Sequence, residues 1–287
     1  MANRVWVLGS AVVDFVSTID RFPAPGESRI AKSVERFLGG KGVNQAVAAA
    51  RSGADVSFVG ALGLDDAASD FRVLLAEEGI DSSEVQTVLD AGTGQATILV
   101  NEDAENMIAI YPGANMMMGA SALSHLEIDE GDVVVASLEI PQECILTAFD
   151  LAKSRGAMTV LNPAPACELE PMIFALTDVF TPNDTESKFY QESQKVDPGK
   201  FTAYIHTQGS GGVTLHHKHE QIKIPAPKIE AVDPTGAGDC FNGVLAASLA
   251  KGMELEASVR RAIRAASISV TRPGAVPSMP NSEEYDG

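Results

Sequence analysis

Short runs of consecutive apolar residues recur along this chain, and each breaks off in a glycine or a polar side chain. Val5-Trp6-Val7-Leu8 stops at Gly9, and Val56-Ser57-Phe58-Val59 stops at Gly60. Val133-Val134-Val135-Ala136 leads to Glu139, Met158-Thr159-Val160-Leu161 to Asn162, and Val179-Phe180 to Asn183. Strands that are apolar at successive positions are buried on both faces, as in parallel sheets whose crossovers are helices. Helical stretches between the runs, such as Asp66 to Glu78 ended by Gly79, complete an alternating strand–helix order. In open sheets of this kind, ligands gather beyond the carboxyl ends of the strands. Asp14, Glu139, Asn162, Asn183, Glu186 and Asp239 all fall at such ends. Any one of them could be an ordinary cap, and Thr181-Pro182-Asn183-x-x-Glu186 satisfies the capping-box pattern. Six along one rim read as a site.

The alternation is interrupted once. After the turn Phe22-Pro23-Ala24-Pro25-Gly26-Glu27, the segment Arg29 to Phe37 alternates weakly, and Thr93–Asn101 and Asn106–Gly113 read as two strands around the turn Glu102 to Glu105. Together they predict a small sheet apart from the main one, built from segments near 12–38 and 94–113. Set over the strand ends, it would act as a lid that excludes water. No linker or repeat divides the chain, so residues 1–287 read as one domain with a lid.

Two glycine-rich turns feed directly into helices. In Asp233-Pro234-Thr235-Gly236-Ala237-Gly238-Asp239 the proline and glycines stop the strand expected at Ile229–Val232, and an apolar helix follows from Ala237. The free N–H groups at a helix start form a seat for phosphate oxygens. An aspartate there has two readings: Asp239 caps the helix, or it takes a proton from a hydroxyl while the amides hold the charge that moves. The other junction, Leu38-Gly39-Gly40-Lys41-Gly42-Val43-Asn44-Gln45-Ala46, opens an alanine-rich helix. It is no Walker A loop, because Gly42 stands where Ser or Thr should follow the lysine. On spacing alone Lys41 and Asn44 read as solvated helix-start residues, with ligand contact as the other reading.

Composition narrows the classes. A net charge of −18 argues against nucleic acid as a partner. No stretch approaches the roughly 20 apolar residues of a membrane helix, and Met1 to Gly9 lacks the regions of a signal peptide. Cys144, Cys167 and Cys240 are odd in number and unpaired in spacing, so reduced thiols and a cytoplasmic protein are expected. His216-His217-Lys218-His219 reads as a solvated hairpin turn rather than a metal site. Arg260, Arg261 and Arg264 are expected on the polar side of a helix over 256–266, with a loop of small residues from Ser267 to Ser278. No G-x-G-x-x-G follows the first strand, which disfavours a nicotinamide-dependent dehydrogenase.

From Gly9 to Ser278 the chain resembles the ribokinase-like (PfkB) carbohydrate kinase family, and within it the ribokinase branch. The residues that carry the resemblance are Leu38–Ala46, Asn162-Pro163-Ala164-Pro165-Ala166, Thr181-Pro182-Asn183-x-x-Glu186 and Asp233–Asp239, four separated motifs in that family's order. The resemblance implies a three-layer α/β sandwich with a mostly parallel central sheet and a small β-sheet lid that often forms a homodimer contact. It implies an ATP-dependent kinase of a pentose's terminal hydroxyl, with Asp239 as the base and the amides of Gly236, Ala237, Gly238 and Asp239 holding the γ-phosphoryl. Asp14, Gly40, Lys41, Asn44 and Glu139 would join Asp239 in the sugar pocket, where carboxylates and amides suit vicinal hydroxyls. Asn183, Thr207, Gly209, Gly212 and Gly238 would meet ATP. Asn183 and Glu186 would organise Mg2+ through waters, and Asp233, Thr235, Ser269, Arg272, Gly274 and Ser278 would surround a monovalent cation, K+.

The chain departs from the ribokinase pattern twice. Val12 stands where ribokinases usually carry an asparagine that contacts a ribose hydroxyl, and an apolar residue there leaves that hydroxyl without a partner. A deoxyribose kinase is therefore the alternative, with a kinase of another sugar or a nucleoside beside it. The stretch from Asn183 to Thr207 is shorter than usual, which bears on the adenine contacts. A non-catalytic sugar-binding regulator, a different class, would be expected to lose Asp239 or its glycines, and all are present.

Overall fold

The computed structural model describes residues 3–103 and 105–286; Met1, Ala2 and Gly287, and Ala104 of the turn expected at Glu102 to Glu105, lie outside the described residues. In chain order the strands begin with β1 (Arg4–Leu8), β2 (Val12–Thr18), β3 (Ser33–Gly39), β4 (Asp55–Val59), β5 (Ala61–Leu62), β6 (Gln86–Thr87) and β7 (Gly94–Val100). They continue with β8 (Asn106–Tyr111), β9 (Val133–Ser137), β10 (Met158–Asn162), β11 (Val179–Phe180), β12 (Ala203–Thr207), β13 (Val213–His217) and β14 (Glu220–Ile224). The α-helices are α1 (Lys41–Arg51), α2 (Asp66–Glu77), α3 (Gln142–Arg155), α4 (Pro171–Leu176), α5 (Asp184–Ser193), α6 (Ala237–Ala250) and α7 (Leu255–Ser269).

The main sheet has eight strands in the order β14-β13-β12-β11-β10-β9-β1-β4. All neighbours are parallel from β4 to β12, and the last two pairings, β12 with β13 and β13 with β14, are antiparallel. Side chains alternate across it, as a strand's period of two requires. Val5, Val7, Val133, Val135 and Val160 pack on one face with α1, α6 and α7. Trp6, Leu8, Val134, Ala136 and Leu161 pack on the other with α3, α4 and α5. The expected sandwich, helices on both faces of a mostly parallel sheet, is present.

Local signals set the helix limits. Asp65 caps α2 by accepting from Ala68 N–H, and Gly156 ends α3 in the left-handed conformation with φ 78°. Two glycine contacts hold α1 in place. A Cβ on Gly42 would sit 2.4 Å from the Gly9 carbonyl carbon, and one on Gly243 would sit 2.3 Å from the Gln45 carbonyl oxygen. The backbones of α1, β1 and α6 therefore approach more closely than any side chain would allow.

The small sheet has the order β3-β2-β7-β8. Asp14, expected just beyond the first strand's carboxyl end, lies there within β2, because the chain turns into a new strand within four residues of Leu8. The segment Ile229–Val232, expected as a strand, is not one. β14 already closes the sheet's edge, and the chain runs on as an exposed loop. Helix α7 continues to Ser269, three residues into the expected loop. On that helix Arg261 is 3% exposed and does not join a polar face. It pairs with Asp286 at 2.7 Å and stacks over the Tyr285 ring, covered by the chain's last described turn.

Candidate active site

Helix α6 begins at Gly236, whose φ of 75° suits glycine, and whose Cβ position would lie 2.9 Å from the Cβ of Ala275. Its early N–H groups are the ones a helix cannot satisfy internally. The N–H of Ala237 bonds to the Pro234 carbonyl at 3.2 Å, so one of the expected phosphoryl-holding amides is engaged. No such bond is made by the N–H of Gly238 or Asp239 among the described residues. Space above Gly238 is open: a Cβ there would meet no atom within 4 Å.

Asp239 is 7% exposed, and both its oxygens accept hydrogen bonds from α1. Asn44 Nδ2 donates to Oδ2 at 2.9 Å, and Gln45 Nε2 donates to Oδ1 at 3.1 Å. The helix-cap reading of Asp239 is thereby set aside: α6 has no side-chain cap, and the carboxylate turns across to α1. Asn44 is 6% exposed, so the solvated helix-start reading fails for it, because the start of α6 packs over the start of α1. Lys41 is half-buried there. The charge of Asp239 first, then those of Glu139 and Glu186, raises its ammonium above the ordinary value, against a burial that lowers it.

Helix α1 lacks a side-chain cap from its own neighbourhood. Glu139 supplies one from the end of β9, its Oε2 accepting the N–H of Lys41 at 3.2 Å and the hydroxyl of Ser10. A carboxylate at a helix start is also favoured by the helix dipole. Asp14 lies close to that charge. Burial first, and Glu139 second, push its carboxyl up from 3.8 to about 6. Gly39 keeps the space between Asp14 and Asn44 free, since a Cβ there would come within 3.0 Å of Asp14 Oδ2 and 3.7 Å of Asn44 Oδ1. Gly40, with φ 93°, lets the start of α1 press on Val12 N, 2.7 Å from its Cβ position.

Asn183 and Glu186 form a full capping box at the start of α5, with Glu186 Oε2 accepting Asn183 N–H at 2.9 Å and Asn183 Oδ1 accepting Glu186 N–H at 2.9 Å. Burial raises the Glu186 carboxyl, opposed by its bonds to Asn183. With those atoms engaged, the pair suits a metal's outer hydration shell better than direct coordination. Among the described residues, no group of three or more His, Cys, Asp or Glu is arranged to hold a metal ion. Thr207 ends β12 beside Asn183, its N–H donating to the Pro182 carbonyl at 2.9 Å. Gly209 and Gly212 shape the following turn, and Gly212 has a packing reason of its own, a Cβ position 2.1 Å from the Ile224 carbonyl oxygen.

The loop before α6 is tied to the loop after α7. Asp233 N–H donates to the Val270 carbonyl at 3.0 Å, and its carboxylate accepts from Thr235 N–H at 2.9 Å and Gly274 N–H at 2.8 Å. Burial raises the Asp233 carboxyl, but those bonds outweigh it and hold it below the usual range. Ser269 and Ser278 turn their hydroxyls to nearby carbonyls, those of Ala266 and Ala275. Arg272 commits its guanidinium to Glu284, which leaves its carbonyl as the group available to a cation.

The rim reading missed Gln45 and Ser10. Gln45 is fully buried and joins Asp239 to Asn162, with its Nε2 3.1 Å from Asn162 Oδ1. Its position one residue after Asn44, next to the glycine-to-helix junction, was the available signal. A separate cleft of about 520 Å3, lined by Phe201 and His216 to Gln221, shares no residue with this site.

Residues 2–282 match the profile described as pfkB family carbohydrate kinase. A ribokinase of Staphylococcus aureus is 36% identical over 306 residues, covering 100% of this chain and 99% of the relative. A deoxyribokinase of Salmonella typhi is 31% identical over 296 residues, covering 98% of this chain and 96% of the relative. The structure of Arabidopsis thaliana ribokinase complexed with ribose and ATP superposes with a TM-score of 0.88 at 28% identity, covering 99% of this chain and 98% of that one.

Proposed function

This chain belongs to the pfkB family of carbohydrate kinases, and from that premise we propose that it transfers the γ-phosphoryl of ATP to the terminal hydroxyl of a pentose, converting ribose to ribose 5-phosphate. The observation that carries the reading is Asp239, a buried carboxylate beside open space and two unengaged N–H groups at the start of α6.

In this reading Asp239 takes the proton of the attacking hydroxyl, and the N–H groups of Gly238 and Asp239 stabilise charge on the phosphoryl as it moves. Lys41 adds a fixed positive charge beside them. Asp14 and the free Oδ1 of Asn44 accept sugar hydroxyls across the space over Gly39. Phosphoryl transfer consists largely of positioning and charge stabilisation, and both are supplied by groups already fixed in place. ATP would lie toward Asn183, Thr207 and Gly209. Bound with the nucleotide, Mg2+ would neutralise charge on the β- and γ-phosphates; Asn183 and Glu186 fit its outer shell. Carbonyls of the Asp233–Thr235 and Ser269–Ser278 loops would hold a K+ ion that orders the turn before Asp239. A homodimer through the small sheet is supported by β8, whose six residues are all exposed. No helix among the described residues is long and apolar enough to cross a membrane, and the odd number and unpaired spacing of Cys144, Cys167 and Cys240 support a cytoplasmic setting.

The test is ADP release from a panel of pentoses and nucleosides, with and without potassium, for the wild type and Asp239→Asn. Turnover of the variant should fall by roughly 10²–10⁴-fold with sugar and ATP binding near normal, the range a positioned base contributes. A variant that keeps more than about a tenth of the rate removes Asp239 as the base.

One observation favours a second acceptor. Val12 shares its face of β2 with Asp14, two residues on, and is 7% exposed. It walls the sugar side with an apolar surface, which suits a deoxypentose.

A further inference from the structure

Asp239 closes a ring of buried polar groups drawn from α1, β10, the residue after β11, and α6. Gln45 Nε2 donates to Asp239 Oδ1 and to Asn162 Oδ1, each at 3.1 Å. Asn162 Nδ2 reaches the Thr181 carbonyl at 3.5 Å, and Thr181 Oγ1 donates to Asn242 Oδ1 at 2.7 Å. Asn242 Nδ2 then donates at 2.8 Å to the carbonyl of Gly238, the residue before Asp239. Gln45 and the side chains of Asn162, Thr181 and Asn242 are all buried.

We propose that Gln45 is a positioning residue: its carboxamide, held between the oxygens of Asn162 and Asp239, fixes the rotamer of the base while the rest of the ring fixes the backbone beside it. The inference rests on the kinase reading of Asp239. An amide has two N–H groups on one nitrogen, and here two acceptor oxygens stand before it. Flipping it would set Oε1 against both oxygens, so only one orientation is stable. Gln45 Oε1 is left buried without a partner. Buried polar atoms are rarely left so, and one that is calls for a reason. The reason here is that the nitrogen is required on the base's side. Gln45 brings donors without charge, so it orients the carboxylate without forming an ion pair with it. The charged groups that also bear on Asp239 are Lys41 from α1 and Glu186 from α5, and neither is altered by changing Gln45.

The experiment compares wild type, Gln45→Met, Asn162→Ala and Asp239→Asn in ADP release with sugar and ATP each varied to saturation. Gln45→Met keeps the volume and removes the donors. Its kcat should fall roughly 10- to 100-fold, as expected for a misplaced reacting group, with both KM values near wild type. Asn162→Ala, which frees the Gln45 amide to turn, should lower kcat in the same way by less, again with both KM values near wild type. Loss confined to KM or to thermal stability, with kcat at saturation unmoved, overturns the proposal. Should Gln45→Met fail to fold, an unmoved kcat in Asn162→Ala overturns it equally. An Asp239→Asn enzyme that stays active refutes the kinase reading instead, which separates the two failures.

Discussion

Asn44 Nδ2 lies 2.9 Å from Asp239 Oδ2 although 195 residues separate them in the chain. The contact joins the start of α1 to the start of α6 and brings both glycine-rich turns to one point. The close approach that permits it depends on small residues where the two helices cross.

Gly243 should therefore be intolerant of even a methyl group. In Gly243→Ala the new Cβ would meet Gln45 O at 2.3 Å and Ala48 Cβ at 2.7 Å, so α1 must move off α6. Overpacking of this kind costs about 1–3 kcal/mol. Denaturant unfolding should show that loss, and kcat should drop with it, because Asn44 and Gln45 move away from Asp239. Wild-type stability and kcat in the variant would show that the crossing has slack.

Asp14 should make sugar use sensitive to acid. Its carboxyl is raised to about 6 by burial and by Glu139, so as pH falls through about 6 it gains a proton and loses acceptor capacity. kcat/KM for the sugar should decline over that interval, and Asp14→Asn, weak throughout, should show no such decline. Stability runs the other way. A carboxyl with a raised folded-state pKa favours the fold most below its unfolded value of 3.8, and that contribution is lost as pH rises through about 6. Asp14→Asn should thus raise the sugar-free Tm at pH 7.5, by an amount that shrinks as the pH is lowered toward 3.8.

Val12→Asn should shift acceptor preference. Restoring a polar partner on the β2 face should raise kcat/KM for ribose relative to 2-deoxyribose, by the roughly 1–3 kcal/mol that an unpaired buried polar group costs. Measuring both sugars with both proteins decides it. A wild type that already prefers ribose strongly would mean that the hydroxyl finds another partner.

The edge strand β8 should pair two copies. Ile108 and Ile110 are 53% and 61% exposed, and Ile110 lies in the row of Ala96 and Asp14 across the small sheet. Exposed apolar edges are prone to association. Sedimentation should find a dimer for the wild type and a monomer for Ile108→Lys/Ile110→Lys. A monomeric wild type would leave that face unpartnered.

Much of the fold was legible because its signals are local. Continuous apolar runs such as Val133–Ala136 mark strands covered on both faces, and the capping box at Asn183 and Glu186 lies within one helical turn. Other features were misread for the same reason. Arg261 sits at a spacing that suits a polar face, but its surroundings are set by Asp286 and Tyr285, which reach it only through the path of the last turn. Glu139 reads as a polar residue at a strand end. That it also caps α1, 98 residues earlier, depends on β1 and β9 being neighbours.

The sequence by itself determined the architecture and the chemistry on offer: alternating strands and helices, a carboxylate in a glycine-rich helix mouth, and the family to which such turns belong. Hydrophobic period and turn chemistry act between residues close in the chain, so they can be read without coordinates. Tertiary structure alone decided which groups hold that carboxylate. Whether Asn44 and Gln45 face water or Asp239 depends on how nearly the backbones of α1 and α6 approach, and that distance is set by packing between segments that share no local pattern.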